Sequence, residues 1–190
     1  MLQIRIHGRG GQGVVTAAEM LSVAAFLEGK HAQAFPSFGS ERTGAPVVSF
    51  CRIDDKEIRL REPIMEPDVL IIQDPTLFKV IDVFQGIKRD GYLLVNSNKT
   101  LAELGLAQVA AKLPTGHTRV VAASEIALKH IGRPLPNAVL LGAFAALSGA
   151  VRLVSVAAAI REAFSGKIAE ANVAAATEAF EAVSAASVAA

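Results

Sequence analysis

Apolar and polar side chains alternate over residues 2–7, glycines crowd Gly8-Arg9-Gly10-Gly11-Gln12-Gly13, and an Ala-rich stretch follows over residues 14–27. This order predicts a strand, a glycine loop and a helix. Residues 30–35 predict a short second strand, followed by a loop, Pro36-Ser37-Phe38-Gly39-Ser40-Glu41-Arg42-Thr43-Gly44, in which small and polar residues dominate after an aromatic start. Residues 47–53 and 57–60 bracket Asp54-Asp55-Lys56, the pattern of a hairpin with a tight polar turn. The unbroken apolar run 69–72 predicts a strand covered on both faces, as in a parallel sheet. Asp74-Pro75 then caps a predicted helix whose Leu77, Val80, Ile81 and Phe84 share one face.

Two further strands are expected over 91–95 and 119–122, with a helix over 124–131. Beyond Arg133-Pro134-Leu135-Pro136 the chain reads as three helices, over 137–148, 155–164 and 169–183. Val173, Ala176, Phe180 and Val183 form a stripe on the last, expected to pack on the sheet rather than bind a cofactor. The sum is an α/β chain: a Rossmann-like three-layer sandwich with a mostly parallel sheet, a β-hairpin insertion and a helical C-terminal part. Its 190 residues are expected to form a single domain, 1–190.

Composition narrows the function. Hydrophobic residues are 52% of the chain and charged residues 19%, so it should fold with some apolar surface left for partners to cover. Nineteen basic against 18 acidic residues leave a net charge of +1, which gives no broad field for nucleic acid or an anionic membrane. No apolar run approaches the roughly 20 residues of a membrane span, and the opening segment reads as a strand rather than a signal peptide, which places the chain in the cytoplasm. The single cysteine, Cys51, and four scattered histidines (His7, His31, His117, His130) supply neither a disulfide nor a metal-ligand set. Nor do they supply the thiolates that an iron–sulfur cluster requires. Cys51 and His7 lie in strand patterns and are expected to be structural, and Arg9 is expected at the solvent or an interface.

Gly8, Gly10 and Gly13 satisfy the G-x-G-x-x-G spacing between a predicted strand and a predicted helix. Glycines there permit a tight turn and bring a ligand's phosphates close to backbone N–H groups at the helix N-terminus. A nicotinamide site would also need a carboxylate about 20 positions on, to hold the ribose. Lys30-His31-Ala32-Gln33-Ala34-Phe35 has none. That argues against NAD and leaves three readings: another phosphate-bearing ligand, a docking role, or a tight turn alone.

The glycine loop taken with Phe35-Pro36-Ser37-Phe38-Gly39-Ser40-Glu41-Arg42-Thr43-Gly44-Ala45-Pro46-Val47 resembles the gamma subunit of thiamine-diphosphate-dependent 2-oxoacid:acceptor oxidoreductases, of the pyruvate:ferredoxin oxidoreductase type. The resemblance continues through Gln73-Asp74-Pro75, Ile131-Gly132-Arg133-Pro134, Asn137 with Leu141-Gly142-Ala143, and Phe164 with Lys167 and Asn172. It implies a complex that oxidatively decarboxylates a 2-oxoacid, transfers the acyl group to coenzyme A and passes electrons through iron–sulfur clusters to ferredoxin or another acceptor. Pyruvate is the default substrate, with branched-chain and aryl 2-oxoacids as alternatives. Thiamine diphosphate, Mg and the clusters would sit on partner subunits, so this chain would bind no cofactor alone, hold no metal and contribute no catalytic residue.

By the same resemblance Gly10, Gly11, Gln12 and Gly13 would present backbone N–H groups and one amide to a phosphate of coenzyme A or to a partner loop. Ser37, Ser40, Glu41 and Arg42 would form a second binding surface, Arg42 pairing bidentately with phosphate or carboxylate. The alternative for Glu41 and Arg42 is an interfacial ion pair that fixes subunit register. The alternative for the whole chain is a stand-alone nucleotide-binding or regulatory module.

Overall fold

A computed structural model describes residues 1–37 and 43–188. Strand β1 (Leu2–Arg9) runs into the glycine loop and helix α1 (Val14–Leu27), and β2 (His31–Pro36) and β3 (Pro46–Asp54) follow. Next come β4 (Val69–Ile72), a 3-10 turn (Pro75–Lys79), β5 (Tyr92–Asn96), the short α2 (Ala107–Ala110) and β6 (Thr118–Val121). Helices α3 (Ala123–Ile131), α4 (Asn137–Ser148), α5 (Leu153–Ala163) and α6 (Gly166–Val188) complete the described chain. The sheet order is β2-β3-β1-β4-β5-β6. β1, β4, β5 and β6 are parallel, while β3 runs antiparallel to both β1 and β2.

Side-chain alternation sorts the strands between two cores. Ile4, Ile6, Val69, Ile71 and Leu94 pack with α1, α4 and α6 on one face. Leu70, Ile72, Leu93 and Val95 meet Leu77, Val83, Leu106 and Leu113 on the other. The apolar run 69–72 is thus covered on both sides, as its composition predicts.

The antiparallel insertion lies elsewhere than expected. β3 forms its hairpin with β2, where Phe35 stands opposite Phe50 with ring centroids 5.1 Å apart, and residues 57–60 form no strand. The reason is that β1 and β2 already occupy both edges of β3, so no ladder is open to 57–60. That segment instead crosses the sheet face, where Arg52 donates to Leu60 O and Glu62 O, and Arg5 to Ile64 O and Met65 O.

The helix expected after Asp74-Pro75 is likewise only a 3-10 turn. Val83 N donates to Ile81 O and Phe84 N to the Asp82 carboxylate, so the N–H groups that would continue a helix are engaged elsewhere. Leu77 is buried as expected, whereas Val80 is 59% exposed.

α4 is apolar all round and buried from Asn137 to Ala145. α6 packs chiefly on α4, α3 and α5 and reaches the sheet only at β6, not, as its stripe suggests, mainly on the sheet. Ala176 and Val183 are buried in this helical tier, with Val173 and Phe180 partly buried beside them. The close approach of α4 and α6 depends on Gly142, since a Cβ there would fall on the carbonyl of Ala176. No helix among the described residues is long and apolar enough to cross a membrane.

Candidate functional site

β1 and β4 are adjacent parallel strands, and the chain departs from their C-terminal ends in different directions. In open α/β sheets ligands bind in the crevice at such a point. The glycine loop and residues 73–76 form its two sides.

Gln12 closes the loop on itself. Its N–H donates to Arg9 O at 3.0 Å, and its Oε1 accepts from Arg9 N at 2.8 Å. Its Nε2 crosses the crevice to Asp74 Oδ2 at 2.9 Å. Asp74 Oδ1 accepts from Thr76 N at 2.9 Å and from the Thr76 hydroxyl at 2.6 Å. Arg9 pairs with Asp74 Oδ2 through Nε at 3.2 Å, donates through Nη2 to Thr76 Oγ1 at 2.8 Å and through Nη1 to Gly44 O at 2.9 Å. Gly10 joins the other side of the ring, its N–H donating to Ala45 O and its carbonyl accepting from Gly44 N. Arg9 therefore fastens the loop, a role its sequence position does not reveal.

Asp74 is the member of this network whose ionisation matters most. Burial pushes its carboxyl up, but hydrogen bonds from Thr76 and Gln12 and the charge of Arg9 outweigh burial and hold it below the ordinary value.

Gly11 and Gly13 have φ of +93° and +69°, and Gly13 caps α1 without a side-chain hydrogen bond. A Cβ at Gly13 would fall on the side-chain amide of Asn137, the first residue of α4, so two helix N-termini meet beside the loop. Gly10 N and Gln12 N, and both ends of the Gln12 amide, are engaged within the chain. The N–H groups of Gly11 and Gly13 have no backbone partner among the described residues. Those of the first turn of α1 have no carbonyl within their own helix. These are the backbone donors that the loop and helix start leave without a backbone partner.

Of the second predicted surface, Ser37 is exposed, with its N–H donating to Val48 O. It lies just past the end of β2, two strand spacings or about 10 Å from β1. Ser40, Glu41 and Arg42 lie outside the described residues. Thr43, Gly44 and Ala45, which close that loop, are bound directly to Gly10 and Arg9, so the base of the second loop and the glycine loop form one unit.

A cleft of about 600 Å³ opens beside this site over the ends of β4, β5 and β6. Its Lys79 and Lys99 are balanced by Glu103 and Glu125. The first turn of α3 there is already capped, since Ser124 N donates to Asn96 Oδ1 and Glu125 N to Ala122 O. Its charges and amides thus give no centre for an anion.

Cys51 is fully buried, and burial pushes its thiol up to about 12, which removes it as a nucleophile. A chain with one cysteine also does not fit an iron–sulfur cluster, which takes several thiolates. His7 is 5% exposed, and burial, reinforced by the charge of Arg5, lowers it to about 3. The unfolded chain therefore gains a proton below about pH 6.5 that the folded chain refuses. Stability is fully present above that value and is lost as pH falls from it toward about 3. Well inside this window the loss approaches about 1.4 kcal/mol per pH unit. His7→Leu is expected to flatten urea-derived stability between about pH 6.5 and 5. An unaltered slope would show that His7 is not held neutral.

The family model described as pyruvate ferredoxin/flavodoxin oxidoreductase matches residues 3–182. The chain belongs to this family. Within the pyruvate ferredoxin/flavodoxin oxidoreductase family, it is 49% identical over 183 residues to the pyruvate/ketoisovalerate oxidoreductases common subunit gamma of Pyrococcus abyssi, covering 95% of this chain and 96% of that one. It is 48% identical over 181 residues to pyruvate synthase subunit PorC of Methanothermobacter marburgensis, covering 95% and 97%. The crystal structure of pyruvate oxidoreductase subunit PORC from Thermotoga maritima matches it with a TM-score of 0.78 at 36% identity, over 95% of each chain. The chain is a gamma subunit of a 2-oxoacid oxidoreductase, and as such it works with partner subunits.

Proposed function

We propose that this gamma subunit acts in the cytoplasm, as one domain, in a complex that converts a 2-oxoacid and coenzyme A to the acyl-CoA and CO2. Pyruvate is the first substrate to test, with branched-chain and aryl 2-oxoacids next. In this reaction the carboxylate leaves as CO2, the acyl group passes to the thiol sulfur of coenzyme A with release of the thiol proton, and two electrons leave through iron–sulfur clusters to ferredoxin or a similar acceptor. Thiamine diphosphate with Mg, on a partner chain, supplies the carbanion chemistry of decarboxylation.

The contribution of this chain is binding. The N–H groups of Gly11, Gly13 and the start of α1 would receive phosphate groups of coenzyme A, where the helix dipole favours negative charge. Ser37, Ser40, Glu41 and Arg42 would bind the same ligand or a partner subunit. The observation that carries the reading is the end-to-end match to a pyruvate/ketoisovalerate oxidoreductases gamma subunit, over 95% of this chain and 96% of that one.

A tagged pull-down of the chain from its native host, under anoxic conditions, tests the assignment. The expected result is an assembly that contains thiamine diphosphate and iron and reduces an acceptor only when a 2-oxoacid and coenzyme A are both present. An assembly whose acceptor reduction proceeds at the same rate without coenzyme A would overturn it.

A further inference from the structure

We propose that Gln12 and Asp74 are positioning residues: their hydrogen bond latches the glycine loop to the end of β4 and holds the N–H groups of Gly11 and Gly13, which have no backbone partner among the described residues, in a preformed arrangement. The proposal rests on the reading of this loop as part of the coenzyme A site.

Four of the six residues from Gly8 to Gly13 are glycine, and such a turn has many conformations to lose when a ligand orders it. Its ends are fixed by β1 and α1, but the turn between them needs its own restraint. Gln12 supplies it, and its amide can face only one way. Arg9 N is a donor and must meet the oxygen, while the Asp74 carboxylate is an acceptor and must meet the nitrogen.

Asp74 carries the restraint further. One oxygen holds both donors of Thr76, and the other meets Gln12 and Arg9. Arg9 in turn reaches Gly44 O. Four side chains thereby tie together the glycine loop, the start of the 3-10 turn and the base of the second loop. The crevice between β1 and β4 is bridged by the chain's own side chains, so an anion must lie on the rim of the latch, against the amides that the latch orients.

A reciprocal exchange separates this role from general stability. Asp74→Asn sets an amide against the Gln12 amide and removes the charge facing Arg9. Gln12→Glu sets two carboxylates face to face. The double variant restores a complementary pair with the two groups exchanged. The carboxylate now at position 12 accepts from the amide now at position 74 and from Arg9 N. The oxygen of that amide still accepts from Thr76, and Arg9 keeps a carboxylate neighbour.

In the assembled complex each single variant is expected to raise the KM for coenzyme A roughly tenfold, as loss of one charge-assisted hydrogen bond implies. The KM for the 2-oxoacid should not move, and kcat should change less than about twofold, since the lost interaction acts on binding. The double variant should recover most of the KM. Hydrogen exchange in the same complexes should accelerate at the amides of Gly10, Gln12 and Gly44 in the single variants and slow again in the double. Unchanged exchange in the single variants, or a double no better than either, would overturn the latch. Accelerated and then restored exchange with an unmoved coenzyme A KM would keep the latch and overturn the coenzyme A reading on which it rests.

Discussion

Gly142→Ala is expected to destabilise the gamma subunit by about 3 kcal/mol, because the added methyl would fall on the Ala176 carbonyl and force α4 and α6 apart. Helix propensity alone predicts the opposite, a gain of about 1 kcal/mol for alanine over glycine within a helix. The two effects oppose each other, and overlap with backbone should win because neither helix can yield at that point. α4 is buried over most of its length, and α6 is tied to α3 by Lys129 and His130, which both meet Glu178. Thermal unfolding should show a midpoint lower by roughly 6–12 °C for a chain of this size. A midpoint equal to or above that of the wild type would mean that the helices are farther apart than described.

Gly13→Ala should strike the loop itself. At φ +69° an alanine carries backbone strain of roughly 1–2 kcal/mol, and its Cβ must displace the Asn137 amide. The strain can be relieved only by moving the cap of α1 and the amides beside it. In the assembled complex, kcat/KM for coenzyme A should therefore fall at least about tenfold, which is about 1.4 kcal/mol of lost binding. Gly11→Ala is the control: its Cβ enters open space and only the strain at φ +93° remains, so its effect should be smaller. Equal effects at the two positions would show that the contact with Asn137 has no functional role.

Local signals made part of the fold legible. α1, β4 and α4 run over the residues that their apolar patterns predict, since each is specified by its own sequence and punctuated by glycine or proline. The departures arise where a distant residue decides. Whether 57–60 can pair depends on β1 and β2 having already taken both edges of β3. The segment past Lys79 is shaped both by Asp82, which takes Phe84 N, and by Arg5, about 80 positions before it, which holds the carbonyls of Val83 and Gln85. The place of α6 depends on α4 being apolar on every side.

The candidate site divides in the same way. The glycine spacing marked Gly10 to Gly13, but not which of their donors are engaged within the chain, because the partner of Gln12 lies 62 residues further on. Asp74 was legible as a cap, and it does accept from Thr76 N. Its second oxygen, which meets Gln12 and Arg9, gave no local signal. The resemblance marked Asn137 beside Leu141-Gly142-Ala143, and the structure sets its side-chain amide against Gly13 of the loop.

The most direct test of the central claim is acyl-CoA formation by purified partner subunits assembled with and without this chain. No acyl-CoA is expected when the chain is left out, and formation, with acceptor reduction, is restored when it is added. Equal acyl-CoA formation in its absence would contradict that claim.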